Sequence, residues 1–271
     1  MKRSLFLIIT TFVTLSGCGP ASIQGTPAGP SLTSKTLMVF AAASLSQAFT
    51  EIGKNFEAAH PCVRVSFNFA GSQTLSAQLI QGAPADVFAS ANHAEMDKLV
   101  ADGLVAQNAA KDFLSNELVV ILPPSNPAGI QTLQDLSRPG LKLVLADTTV
   151  PAGKYARQVL ENVSKDTAYG ADFSTKVLAN VVSNETDVEV VVTKVQLGEA
   201  DAGMVYVSDS VAIPDLKTIT IPANFNVIAR YPIAALVHAP QPELASGFIA
   251  YVLSPEGQGI LKNWGFTPVA P

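Results

Sequence analysis

From residue 37 onward, short apolar runs alternate with stretches whose apolar residues recur at helical spacing. That alternation constrains the fold more than any other feature of the chain. The run LMVFA at 37–41 is continuous rather than alternating, as a strand buried on both faces of a parallel sheet should be. Leu45, Ala48, Phe49, Ile52 and Phe56 then mark one face of a helix that ends before Pro61. Strands are expected at 63–69, 86–89 and 118–122, with helices at 75–80 and 94–102 between them. After Pro123 and Pro124 the pattern restarts with strands at 141–146, 177–181 and 202–207 and helices at 152–163 and 188–197. A final helix is expected over 248–266, with Trp264 near its end and too far from any cleft to report on it. Repeated β-then-α units predict an α/β fold of parallel sheets with helices on both sides. Two sheets of about five strands fit 271 residues better than one of ten, with a boundary near 118–124.

Composition removes several classes. With 48% hydrophobic and 14% charged residues the chain is neither disordered nor a charge-laced helical rod. A formal charge of −5 argues against nucleic acid as a partner. Two cysteines make no disulfide framework, and three histidines leave little for a metal cluster. Cys62 reads as a small packing residue rather than a nucleophile.

The amino terminus reads as an address. Lys2 and Arg3 precede an apolar stretch at 5–15, and the segment ends Leu15-Ser16-Gly17-Cys18, which resembles a bacterial lipobox. Residues 1–17 are therefore expected to be a lipoprotein-type signal peptide. Cys18 would be the lipidation site, and the mature chain would sit outside the cytoplasmic membrane. Losing Lys2 and Arg3 shifts the formal charge from −5 to −7. Residues 18–36 are rich in Gly, Pro, Ser, Thr and Ala and read as a flexible tether.

No G-x-S-x-G, H-E-x-x-H, P-loop or C-x-x-C motif occurs. What recurs is a small or hydroxyl residue where a strand runs into a helix. The four such junctions are Ala41-Ala42-Ala43-Ser44, Ala70-Gly71-Ser72-Gln73, Val150-Pro151-Ala152-Gly153 and Thr186-Asp187-Val188-Glu189. The first and last have capping-box spacing, which would turn Asp187 to solvent. Each helix start offers unpaired N–H groups and a partial positive charge, which favour an anion. Parallel strands deliver these starts at one sheet edge, where ligands of open α/β sheets bind.

FAAASLSQAF, NFAGSQTLSAQLIQGAPADVFASA, PAGKYA, ETDVEVVVTKVQLGEADAGMVYVSD and the terminal GFTPV resemble the molybdate-binding proteins of bacterial ABC importers, over about 37–268. The resemblance implies a two-lobed periplasmic binding protein fold (type II) that closes on a tetrahedral oxyanion, each lobe built on a mainly parallel sheet flanked by helices. It also implies that the carboxyl-terminal segment returns to the first lobe. Lobe 1 would then comprise 37–118 plus 230–271, and lobe 2 would comprise 119–229. Carried over by position, the ligand contacts fall on Ser44 and Ser72 in the first lobe and on Ala152, Val188 and Tyr206 in the second. The implied ligand is molybdate or tungstate, with no cofactor. The implied partners are an importer's permease and ATPase, with the protein itself a monomer tied to the membrane through Cys18.

The chemistry of those positions agrees. Molybdate and tungstate are unprotonated dianions at neutral pH and accept hydrogen bonds only, so hydroxyls and backbone N–H groups suffice. Protonated phosphate would also want an acceptor. One position departs from the family, which commonly has a basic residue where Glu189 stands; its carboxylate faces either solvent or the cleft. Two rivals remain open: the same fold holding sulfate or another oxyanion, and a secreted hydrolase using Ser44 or Ser72 as nucleophile. Neither serine has a base in its motif.

Overall fold

The computed structural model describes residues 34–268. The signal segment 1–17, Cys18 and the tether up to residue 33 lie outside the described residues. Lys35 and Thr36, expected in the tether, are already in the first strand, paired with Val63 and Arg64.

The first part of the chain runs β1 (Lys35–Ala42), α1 (Ser46–Ala59), β2 (Val63–Ala70), α2 (Ser72–Ile80), β3 (Val87–Ala89), α3 (His93–Ala101) and β4 (Lys111–Asn116). The middle part runs β5 (Leu118–Leu122), β6 (Leu143–Ala146), α4 (Pro151–Val163), α5 (Phe173–Ala179), β7 (Val181–Glu185), α6 (Val188–Gln196), β8 (Ala202–Tyr206), α7 (Val207–Ala212) and β9 (Lys217–Thr220). The chain closes with β10 (Ala229–Ala235), α8 (Pro242–Leu253), α9 (Pro255–Asn263) and β11 (Thr267–Pro268). Among the described residues, no helix is long and apolar enough to cross a membrane.

Two sheets result. The first has the order β11-β4-β10-β3-β1-β2, and the second the order β7-β6-β8-β5-β9. Both are mixed rather than mainly parallel. β1 runs parallel to β2 and β3, and β6 runs parallel to β7 and β8. β10 is antiparallel to β3 and β4, and β5 is antiparallel to β8 and β9. The antiparallel strands are the ones that carry the chain between lobes or return it, and they have no crossover helix to force a parallel pairing. β10 contains Pro232, tolerated because the register shifts between Tyr231 and Pro232.

The core of the first lobe concentrates a scarce resource, its aromatic rings. Phe49 and Phe56 on α1 meet Phe248 on α8 edge-on, at centroid distances of 5.9 and 5.5 Å, an arrangement favoured by the ring quadrupoles. The carboxyl-terminal helices thereby pack on the first lobe.

Two expectations fail locally. Residues 177–181 are not a strand, because Phe173 and Val177 lie one helical turn apart and bury one face of α5; the strand begins at Val181. A short apolar run cannot by itself tell helix from strand. The expected helix over 248–266 is two helices that meet at Ser254. That residue sits at φ −70°, ψ 161° before Pro255, and its hydroxyl accepts the Gly257 N–H at 3.2 Å.

The chain crosses between lobes at 116–118 and again before β10. Asn226 clamps the crossing: its Oδ1 accepts the Leu118 N–H at 3.1 Å and its Nδ2 donates to the Leu118 carbonyl at 2.8 Å.

Candidate oxyanion site between the lobes

β1 and β2 deliver the starts of α1 and α2 to one edge of the first sheet. β6, β7 and β8 deliver α4, α6 and Tyr206 to the facing edge of the second. Ser44, Ser72, Ala152, Val188 and Tyr206 line one small void between these edges, of about 10 Å³, together with Ala42, Ala43, Gly71, Ala91, Val150, Pro151 and Asp187. Room on this scale is about that of a single water, so a solute enters only as the lobes part to admit it. Among these lining residues there is no Lys, Arg or His.

Each donor is set up differently. Ser44 lies in a 3-10 turn, Ala43–Leu45, that precedes α1, so the expected capping box does not form. Its Oγ instead pairs with the Tyr231 hydroxyl at 2.9 Å. With Tyr231 donating, the Ser44 proton is left for the cleft. Ser72 opens α2, and its Oγ accepts the Ala91 N–H at 3.0 Å, which likewise leaves the hydroxyl proton to give.

Pro151 brings no N–H to the first turn of α4, and no side chain caps that helix. The Lys154 N–H bonds back to Val150, so the N–H groups of Ala152 and Gly153 carry the helix end. Only glycine lets this end seat against β6: a Cβ on Gly153 would lie 2.1 Å from the Asp147 carbonyl oxygen and 2.2 Å from that of Ala146. At α6 the cap is Asp187 itself, whose Oδ1 accepts the Val190 N–H at 3.1 Å. The cap is thus one residue later than the spacing suggested. Asp187 is half-buried at the cleft wall rather than turned to solvent, with its carboxylate committed to the helix.

Tyr206 is 1% exposed, and its hydroxyl is buried with no hydrogen-bond partner. Burial pushes its phenol well above the ordinary range, so it stays protonated and remains a donor. A buried, unsatisfied O–H costs free energy, so a side chain left in this state points to a ligand oxygen as its partner.

Three features were not foreseen. Tyr231, from β10, supports Ser44 and stacks edge-on against Tyr206 at 5.7 Å. Asp209 is buried beneath the site; its Oδ2 accepts the Tyr206 backbone N–H at 2.9 Å. Burial pushes its pKa up to about 8, a rise opposed by that N–H and reinforced by the nearby charges of Glu189 and Asp187. An adjoining cavity of about 100 Å³ is lined by Ser46, Glu189, Asp209 and Trp264, among others. Trp264 is therefore beside the cleft rather than remote from it. Glu189 is exposed, yet it neither points freely to solvent nor enters the small void: its carboxylate accepts from the Ser46 hydroxyl of the opposite lobe.

Known proteins resemble this chain over nearly its whole length. The family described as bacterial extracellular solute-binding protein matches residues 37–267. The molybdate-binding protein ModA of Mycobacterium tuberculosis is 41% identical over 253 residues, covering 93% of this chain and 92% of that protein. A putative ABC transporter substrate-binding lipoprotein of Bacillus subtilis, YvgL, is 29% identical over 268 residues, covering 98% of each. The solved periplasmic molybdate-binding protein of Azotobacter vinelandii superposes with a TM-score of 0.74 at 19% identity, covering 87% of this chain and 99% of that one. The fold is thus that of two-lobed periplasmic binding proteins, and the chain belongs to the bacterial extracellular solute-binding proteins.

Proposed function

We propose that this protein captures molybdate or tungstate in the inter-lobe cleft and delivers it to the permease and ATPase of an ABC importer. The observation that carries the reading is the Tyr206 hydroxyl, buried without a partner in a cleft that also holds the Ser44 and Ser72 hydroxyls and whose one carboxylate, Asp187, accepts from its own helix. Ser44, Ser72, Ala152, Val188 and Tyr206 are the ligand contacts. Each offers a hydrogen to an ion that accepts only. The serines serve as donors rather than nucleophiles, since their partners are the Tyr231 hydroxyl and the Ala91 N–H rather than a base, and the protein is a carrier, not an enzyme.

Lobes 37–118 plus 230–271 and 119–229 close on the ion as two bodies. The mature protein is a monomer outside the cytoplasmic membrane, held by lipid on Cys18; the similarity to a substrate-binding lipoprotein over 98% of the chain supports the anchor. Five hydrogen bonds to a charged ligand are worth about 8–15 kcal/mol gross. Association and closure take back several kcal/mol, leaving a Kd between about micromolar and nanomolar. Because the donors are buried and neutral, raised salt should weaken binding only modestly.

Sulfate is the second reading, since it too is an unprotonated tetrahedral dianion. The test is calorimetric titration of the lipid-free domain with molybdate, tungstate, sulfate and phosphate. Tight binding of the first two with weak sulfate and weaker phosphate is expected. Equal or tighter sulfate binding would move the assignment to sulfate, and binding of none would refute it.

A further inference from the structure

We propose that Gly71 and the Ser46–Glu189 pair are closing contacts that hold the start of α6 against the first lobe and set how long the ligand stays bound. The proposal rests on the reading of the cleft as an oxyanion site.

Gly71 is not there for its backbone freedom. Its φ of −57° and ψ of 137° are open to any residue. What excludes a side chain is the opposite lobe: a Cβ on Gly71 would lie 2.7 Å from the Thr186 carbonyl oxygen and 2.5 Å from the Gln73 amide. The Gln73 side chain can swing aside. The Thr186 carbonyl is backbone, in the turn between β7 and α6, and yields only if the lobes part. Gln73 Nε2 donates to that same carbonyl at 2.9 Å, so the two lobes are bonded as well as touching here.

On the other side of Val188, the Ser46 hydroxyl at the start of α1 donates to the Glu189 carboxylate. Thr186 and Glu189 bracket Val188, whose N–H faces the ligand. The helix end that contacts the ion is thus pinned from both flanks to the starts of α1 and α2. Opening the cleft breaks these contacts and leaves both lobes internally intact, so their effect falls on release rather than on capture.

The test is stopped-flow and calorimetric measurement of molybdate binding by the whole domain, following Trp264 fluorescence, for wild type, Gly71→Ala, Ser46→Ala and Glu189→Gln. Gly71→Ala should release molybdate at least about tenfold faster, with association changed less than about twofold. Its ligand-free Tm should stay within about 2 °C of wild type. Ser46→Ala should release it about 3- to 10-fold faster. Glu189→Gln keeps an acceptor for Ser46 while removing a negative charge near the dianion, and should release no faster than wild type.

Wild-type release in Gly71→Ala, or a loss of its affinity that lies wholly in association, overturns the proposal. Should Gly71→Ala fail to fold, Ser46→Ala decides, since it alters only an exposed contact: a wild-type release rate in that variant overturns it too. A wild-type protein that binds none of the oxyanions overturns the site reading and this proposal together. Oxyanion binding with unchanged release in the variants overturns this proposal alone.

Discussion

Replacing Tyr206 by Phe changes one atom and should lower affinity without costing stability. With the lobes closed, the Tyr206 hydroxyl is buried without a protein partner. Removing a buried, unsatisfied polar group recovers about 1–2 kcal/mol of desolvation cost, and opening the cleft to water relieves the same cost in wild type. In a domain of this size 1 kcal/mol corresponds to roughly 2–4 °C, so the ligand-free variant should melt no lower than wild type and at most about 8 °C higher. With the oxyanion bound, that hydroxyl donates to a charged acceptor, a bond worth about 1.5–3 kcal/mol. Its loss should raise the Kd by about 10- to 150-fold. The ring itself, packed edge-on against Tyr231 at 5.7 Å, is retained, so neither effect comes from repacking. Differential scanning calorimetry without ligand and isothermal titration with molybdate read the two quantities. A variant that melts lower, or one that binds as tightly as wild type, would refute the assignment of this hydroxyl to the ligand.

Two further substitutions probe the supports of the site. Asp209 has an ordinary pKa of 3.8, raised in the folded protein to about 8. Between those values the folded state holds a proton that the unfolded chain has lost, so its contribution to stability is complete below about pH 4 and is lost as pH rises through about 8. Asp209→Asn keeps an acceptor for the Tyr206 N–H and should flatten that decline, gaining Tm over wild type at pH 9 but not at pH 4; parallel melting curves would contradict the burial argument. Gly153→Ala forces a Cβ to about van der Waals overlap with two backbone carbonyls and should cost about 2–4 kcal/mol, seen as a lower urea midpoint and weaker molybdate binding as the α4 end is displaced. A variant with unchanged midpoint and affinity would mean that α4 is seated more loosely than the distances show.

The difference between the strands that were legible and those that were not is physical. β1 reads as a strand because LMVFA is buried on both faces and therefore uniformly apolar. β9 has no comparable run, because it is an edge strand with exposed Lys217, Thr218 and Thr220. The run at 177–181 misled because Val177 and Leu178 close one helix while Val181 opens the next strand, and adjacency along the chain hid the boundary at Asn180. Ser44, Ser72, Ala152 and Val188 were legible as helix starts, since small and capping residues before an apolar stripe have few other uses. Asp187 was assigned to the wrong side of its helix because Thr186 and Asp187 are both competent caps, and only the backbone conformation chooses between them.

Local order was written into residue spacing. Where most strands and helices lie, and which residues stand at the junctions between them, follow from short-range rules that act within a few residues. Convergence could not be read that way. That Tyr231 on a returning strand would orient Ser44, that Asp209 would lie buried under Tyr206, and that Glu189 would reach Ser46 across the cleft all depend on contacts between residues 143 and 187 positions apart or on burial set by both lobes. A side chain carries no local mark of the partner it will meet after the chain has crossed twice between sheets. Only the packed structure decides which donors share one void, and which are left without a partner until an anion arrives.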